Sequence, residues 1–140
     1  MIHSILVKDY MDHNPHAVSI DNSLTDVVKV FITDNIIGAP VVNANKEVVG
    51  YVSEQDCIGE LLNDSYYLAE PPSVESAMTT DVKSVKSSDS IVEVAQSMIT
   101  HRARNFPVID NGKLVGLISR SRILEALVEN RKDTYFHEGS

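Results

Sequence analysis

Laid against itself with an offset of 67 residues, the chain repeats: Val7 falls on Val74, Met11 on Met78, Val18 on Val85 and Ser23 on Ser90. Further along, Val27 meets Val94, Thr33 meets Thr100, Pro40 meets Pro107 and Val41 meets Val108. One residue drops out in the next turn, and at an offset of 66 Val49, Gly50 and Ser53 meet Val115, Gly116 and Ser119. The likeness runs over roughly 55 residues of each copy, with apolar positions matching between the identities. Duplication on this scale means one supersecondary unit made twice, each copy with an apolar face that it cannot bury alone. The fold must therefore accommodate two alike halves.

Each copy reads in the same order. A short helical turn (Leu6–Met11; Val74–Met78) leads to a brief strand centred on Val18 or Val85. Ser23 and Ser90, each with an acid three residues on (Asp26, Glu93), then read as helix caps. Apolar stripes follow at helical spacing: Leu24, Val27, Val28, Phe31 and Ile32 in one copy, Ile91, Val94, Ala95, Met98 and Ile99 in the other. Pro40-Val41-Val42 and Pro107-Val108-Ile109 predict strands entered through proline, at the residue where a missing donor does least harm. Turns at Asn43–Glu47 and at Asp110-Asn111-Gly112-Lys113 reverse the chain, Asn-Gly being a strong hairpin signal. A second strand and a second helix close each unit. The expectation is an α+β fold of two β-α-β-β-α repeats packed about a pseudo-twofold axis: repeat 1 at 6–62, a connector at 63–73 holding Pro71-Pro72, repeat 2 at 74–128, and a tail at 129–140.

Charge divides the two halves. Residues 1–73 hold 3 Lys/Arg and 11 Asp/Glu, whereas 74–140 hold 9 of each, which accounts for the net −8. An acidic surface repels phosphate backbones, so no nucleic-acid partner is expected. Ile5-Leu6-Val7 is too short an apolar run for a leader or membrane span, and the single Cys57 fits a reducing compartment; a cytoplasmic protein without a membrane partner is the reading. Arg102, Arg104, Arg120 and Arg122, four of the five arginines, nevertheless crowd into one part of the second half. They suit a small anion or, equally, a solvated face paired with the acids of the first half.

The stretch with most chemistry is Val48–Asp56, in which a buried strand passes at Ser53 straight into a helix. Such a junction leaves backbone N–H groups facing one spot, a natural place for phosphate, with Asp56 one turn on. Ser53 and Asp56 also fit a capping box, in which the acid only reaches back to the cap's N–H. His13 and His16 are separated by Asn14-Pro15 and have no third ligand at metal spacing, and no triad or carboxylate pair can be assembled. Met11, Met78 and Met98 read as core filler, Cys57 as a small buried hydrophobe, and His101 as a dipole partner at a helix end. Neither a metal nor an enzymatic activity is expected.

Pro-h-h followed by Gly-h-h-Ser/Thr-x-x-Asp (h apolar), met once in full and a second time without the Asp, resembles the cystathionine-β-synthase (CBS) domain, whose tandem pair is called a Bateman module. The resemblance covers residues 6–128 and implies a stand-alone pair forming a flat disc with two clefts. Such clefts commonly take AMP, ADP, ATP or S-adenosylmethionine, and the module usually regulates another protein, often as a homodimer. By position, Asp56 matches the aspartate that takes the ribose hydroxyls, Ser53 the hydroxyl near phosphate or ribose, and Tyr51 an apolar position lining the base pocket. The backbone at Ala17 and Val18, and from Ile37 through Gly38 to Pro40, matches segments bordering the adenine. Arg104 holds the position from which a basic residue reaches the phosphates. In the second copy Arg122 replaces the aspartate, so the set Ser119, Arg120 and Arg122 implies a cleft that is empty, holds a phosphate, or turns its arginines to the first. The reading is a sensor with one adenosine ligand per chain, and its rival a dimerising scaffold that binds no nucleotide.

Overall fold

A computed structural model of the chain describes residues 4–64 and 72–131. Most of the expected connector, and the tail beyond 131, lie outside the described residues. Contacts gather into two compact units, one of residues 16–82, the other of 1–15 together with 83–140.

In the first unit, β1 (Val18–Ser19) leads to α1 (Leu24–Asp34), the hairpin β2 (Gly38–Val42) and β3 (Val48–Ser53), α2 (Glu54–Asp64) and the short α3 (Val74–Ala77). The sheet order is β1-β2-β3, with β1 parallel and β3 antiparallel to β2. Ser23 caps α1 as its sequence predicts, its Oγ accepting the Asp26 N–H at 3.1 Å. Leu24, Val27 and Phe31 of α1 bury against Ala39, Val41 and Val52 of the sheet, with Cys57 and Val74 closing the core. Each Leu, Val or Phe side chain among these, fully withdrawn from water, contributes about 1.5–3 kcal/mol.

The second unit has the same plan: α4 (Ile91–His101), the hairpin β4 (Asn105–Asp110) and β5 (Lys113–Ser119), and α5 (Arg120–Glu129). Ile91, Val94 and Met98 pack on Phe106, Val108 and Ile118, with Ile123 and Ala126 from α5. Its leading strand shrinks to one parallel bridge, Val85 to Val108. At the hairpin tip Asn111 and Gly112 both take positive φ, 53° and 80°, the geometry for which Asn-Gly is selected.

Two expectations are corrected. The prolines do not open their strands: Pro40 is third in β2 opposite Tyr51, and Pro107 third in β4 opposite Leu117. The missing N–H is tolerated because Tyr51 turns its amide and carbonyl away, to Thr79 at 2.9 and 2.8 Å. Leu117 does the same toward Asp12, at 3.0 and 2.8 Å.

Those bonds reveal the second correction. The turn preceding each repeat does not pack on the repeat that it precedes. Residues Val7–Asp9 form a 3-10 turn in the second unit, where Val7 and Met11 join the core, whereas Val74 and Met78 pack in the first. The crossing is close. A Cβ on Gly50 would lie 2.6 Å from Met78 Sδ and 2.9 Å from Thr79 O; one on Gly116 would lie 2.6 Å from Met11 Sδ and 2.8 Å from Asp12 O. The glycine of the repeated Gly-h-h-Ser motif is thus the residue that lets the exchanged segment pass. Among the described residues no helix is long and apolar enough to cross a membrane.

Candidate functional site

In the first unit the hairpin register brings most of the expected site residues together. Gly38 pairs with Ser53 and Pro40 with Tyr51, so the start of β2 and the end of β3 lie side by side. The Tyr51 ring lies against Gly38, where an added Cβ would be 2.6 Å from the phenol oxygen. Val18 is buried in β1 opposite Val41, on the other edge of β2, and Ala17 before it is exposed.

At the junction of β3 and α2 the capping box is complete. The Ser53 N–H and hydroxyl both donate to Asp56 Oδ2 at 2.9 Å, and the Asp56 N–H donates to Ser53 Oγ at 3.2 Å. The Glu54 N–H donates to Ile37 O at 2.9 Å, which ties the entry of β2 to the helix start. Two of the first three helix amides therefore have partners already, and the junction is less open to an anion than the sequence suggests. Among the described residues Asp56 Oδ1 has no hydrogen-bond partner, so one carboxylate oxygen is spoken for and one is available. Cys57, directly after Asp56, is buried in the core; burial pushes its thiol up, and the Asp56 and Glu54 carboxylates add to that.

The corresponding place in the second unit is filled differently. Ser119 caps α5, its Oγ accepting the Arg122 N–H at 3.4 Å, and lies 3.0 Å from the Ser121 hydroxyl. Arg122, in place of the aspartate, pairs with Glu125 on its own helix at 2.9 Å. Arg120 turns to the end of α4: Nε donates to Ala103 O at 2.8 Å and Nη2 to Arg102 O at 3.3 Å. Its own N–H donates to Arg104 O at 3.0 Å, the counterpart of Glu54 on Ile37. Of the three arginines expected to face an anion, two thus have partners within their own unit. The exposed Arg104 has no side-chain partner among the described residues.

Two features carry weaker sequence signals. Asn35 and Arg102 occupy equivalent left-handed caps at φ 53° and 52°, where Asn is a known marker and Arg is not. The capping of α4 by Arg120, 17 and 18 residues downstream in sequence, has no local signature.

Comparison with known proteins agrees with this plan. The CBS domain matches residues 7–63 and again 74–129. Uncharacterized protein MJ1225 of Methanocaldococcus jannaschii is 26% identical over 121 residues; the alignment takes in 86% of this chain but 42% of that protein. AcuB of Vibrio cholerae superposes with a TM-score of 0.80 at 30% identity, over 92% of this chain and 96% of that one. CBSX2 of Arabidopsis thaliana, solved in complex with AMP, gives 0.79 at 25% identity, over 90% of this chain and 98% of that one. With two matched copies spanning most of its length, on an α+β framework shared with solved CBS pairs, this chain belongs to the CBS domain family.

Proposed function

We propose that the chain is a regulatory module that binds one adenosine-containing ligand, of the AMP, ADP or ATP type, beside Ser53 and Asp56. The observation that carries this reading is the half-engaged carboxylate at the β3–α2 junction: Ser53 holds Asp56 Oδ2 and leaves Oδ1 for a hydroxyl. Charge-assisted bonds from a ribose diol contribute about 1.5–3 kcal/mol each. The AMP complex of CBSX2 adds support from a related fold. In this reading Ala17, Val18 and Ile37 to Pro40 border the base and Tyr51 lines its pocket. Ser119, Arg120 and Arg122 hold no second ligand. Binding regulates a partner only through unequal affinity for two states of the module. A homodimer in the cytoplasm is part of the same proposal.

One observation favours the rival scaffold: the Ser53–Asp56 pair is complete as a capping box without any ligand. Calorimetric titration with AMP, ADP, ATP and S-adenosylmethionine separates the two. The sensor predicts saturable heat with at least one of them, at about one per chain. Folded, ligand-free protein that gives no heat with any of the four would favour the scaffold.

A further inference from the structure

Two methionines occupy the same place in the two units, each with its sulfur against a glycine of the adjoining strand. A Cβ on Gly50 would come within 2.6 Å of Met78 Sδ, and one on Gly116 within 2.6 Å of Met11 Sδ. They differ in exposure. Met11 is 7% exposed and Met98 of α4 is 5% exposed, whereas Met78 is half-buried where it packs against the core of the first unit. A thioether is oxidised where an oxidant can reach it, and its sulfoxide is polar where the parent was apolar. The single thiol competes poorly: Cys57 is buried, and burial together with the Asp56 and Glu54 carboxylates keeps it protonated. The accessible sulfur thus belongs to the copy that retains the carboxylate Asp56.

The residue after Met78 latches the exchanged segment to β3. The Tyr51 N–H donates to Thr79 O at 2.9 Å, and the Thr79 N–H donates to Tyr51 O at 2.8 Å. On the Gly50 side the sulfur has no spare room, since Met78 Cγ and Thr79 O would themselves lie 3.0 and 2.9 Å from an added Cβ. An oxygen bonded to that sulfur must turn away from the strand or lift the segment, and inside an apolar contact it costs free energy unless a donor meets it. Tyr51 stands two residues before Ser53 on the same strand, so lifting the segment disturbs the strand end from which Ser53 holds Asp56.

We infer that Met78 is an oxidation-sensitive switch: a peroxide converts it to the sulfoxide ahead of Met11 and Met98, and the sulfoxide frees the exchanged segment from Tyr51 and weakens the neighbouring site. In the step the sulfur lone pair attacks one peroxide oxygen, and the S–O bond forms as the O–O bond breaks. The second oxygen leaves as hydroxide and takes the remaining peroxide proton to become water, so sulfur loses the electron pair that the peroxide gains. A thiol-dependent sulfoxide reductase reverses the change, a thiol pair becoming a disulfide as the oxygen leaves in water. The effect on ligand rests on the site of the proposed function; the release of the segment does not.

Hydrogen peroxide titration of the full chain, followed by peptide mapping and hydrogen exchange, tests the inference. Met78 should gain oxygen roughly tenfold faster than Met11 or Met98. Exchange at the Tyr51 amide should then quicken while that at Leu117, latched in the same way to Asp12, stays as it was, and reductase with dithiothreitol should restore it. Met78→Leu, which keeps the apolar volume, should abolish the response, and Met11→Leu should keep it. AMP affinity should fall by roughly threefold or more in the oxidised wild type and hold in oxidised Met78→Leu. Met11 or Met98 oxidising as fast as Met78, or a Met78 sulfoxide that leaves Tyr51 protected, overturns the switch. Wild-type protein that binds no AMP before oxidation overturns AMP as the ligand of the site, and the exchange at Tyr51 still decides the switch.

Discussion

At the scale of single residues, Gly50 and Gly116 are fixed by atoms that lie well outside the motif containing them. The strand at each passes under a methionine and a carbonyl of the exchanged segment, and the nearest backbone oxygen allows no methyl group. Gly50→Ala should therefore cost about 1–3 kcal/mol by overpacking. Gly59, in α2 with nothing within 4 Å of an added Cβ, should instead gain up to about 1 kcal/mol from the same change. Urea denaturation of the two variants checks both signs; a Gly50→Ala protein as stable as the parent would mean that the segment does not cross there. Ser53 and Asp56 show the other side of residue-scale reading. Their spacing alone announces a capping box, and the box is present, but spacing does not say that both Ser53 donors converge on one oxygen and spare the second.

At the scale of elements, most of the chain was legible because each element has a local cause. Helices announced themselves by apolar stripes behind a serine, and hairpins by Asn-Gly or by turn polarity between apolar runs. The exchange of the leading turns was not legible, and the reason is the repeat itself. Leu6–Met11 and Val74–Met78 carry matching apolar positions, so either turn fits either unit, and nothing local says which one receives it. Pro40 and Pro107 were misplaced within their strands for a related reason: what makes them tolerable is a partner residue bonded to that exchanged segment. The exchange predicts where a defect will be felt. Val74, fully buried in the first unit, should cost about 1–3 kcal/mol when truncated to Ala. Hydrogen exchange should then show protection falling at Tyr51 and Val52 in the first unit. Loss confined to the amides of Val85 and Val108 would place Val74 with the repeat that follows it.

At the scale of the whole molecule, the duplicated unit supplies two junctions of the same geometry and the chain differentiates them by charge. One keeps a carboxylate with an oxygen to spare; the other has an arginine paired with Glu125. The arginine cluster visible in the sequence resolves into separate tasks, with Arg120 capping α4, Arg122 paired along α5, and Arg104 without a side-chain partner among the described residues. The partners of Arg120 lie 17 and 18 residues away in sequence, so clustering alone left a small anion and a solvated face equally open.

The measurement that bears most directly on the proposed function is the AMP affinity of the wild-type chain beside that of Asp56→Ala, taken together with their unfolding free energies. Loss of one or two charge-assisted bonds to ribose predicts binding weakened by about ten- to hundredfold, with stability lowered by only about 1 kcal/mol, the usual cost of a lost cap. An affinity unchanged by the substitution, alongside the same small loss of stability, would contradict the account and leave Asp56 as a helix cap alone.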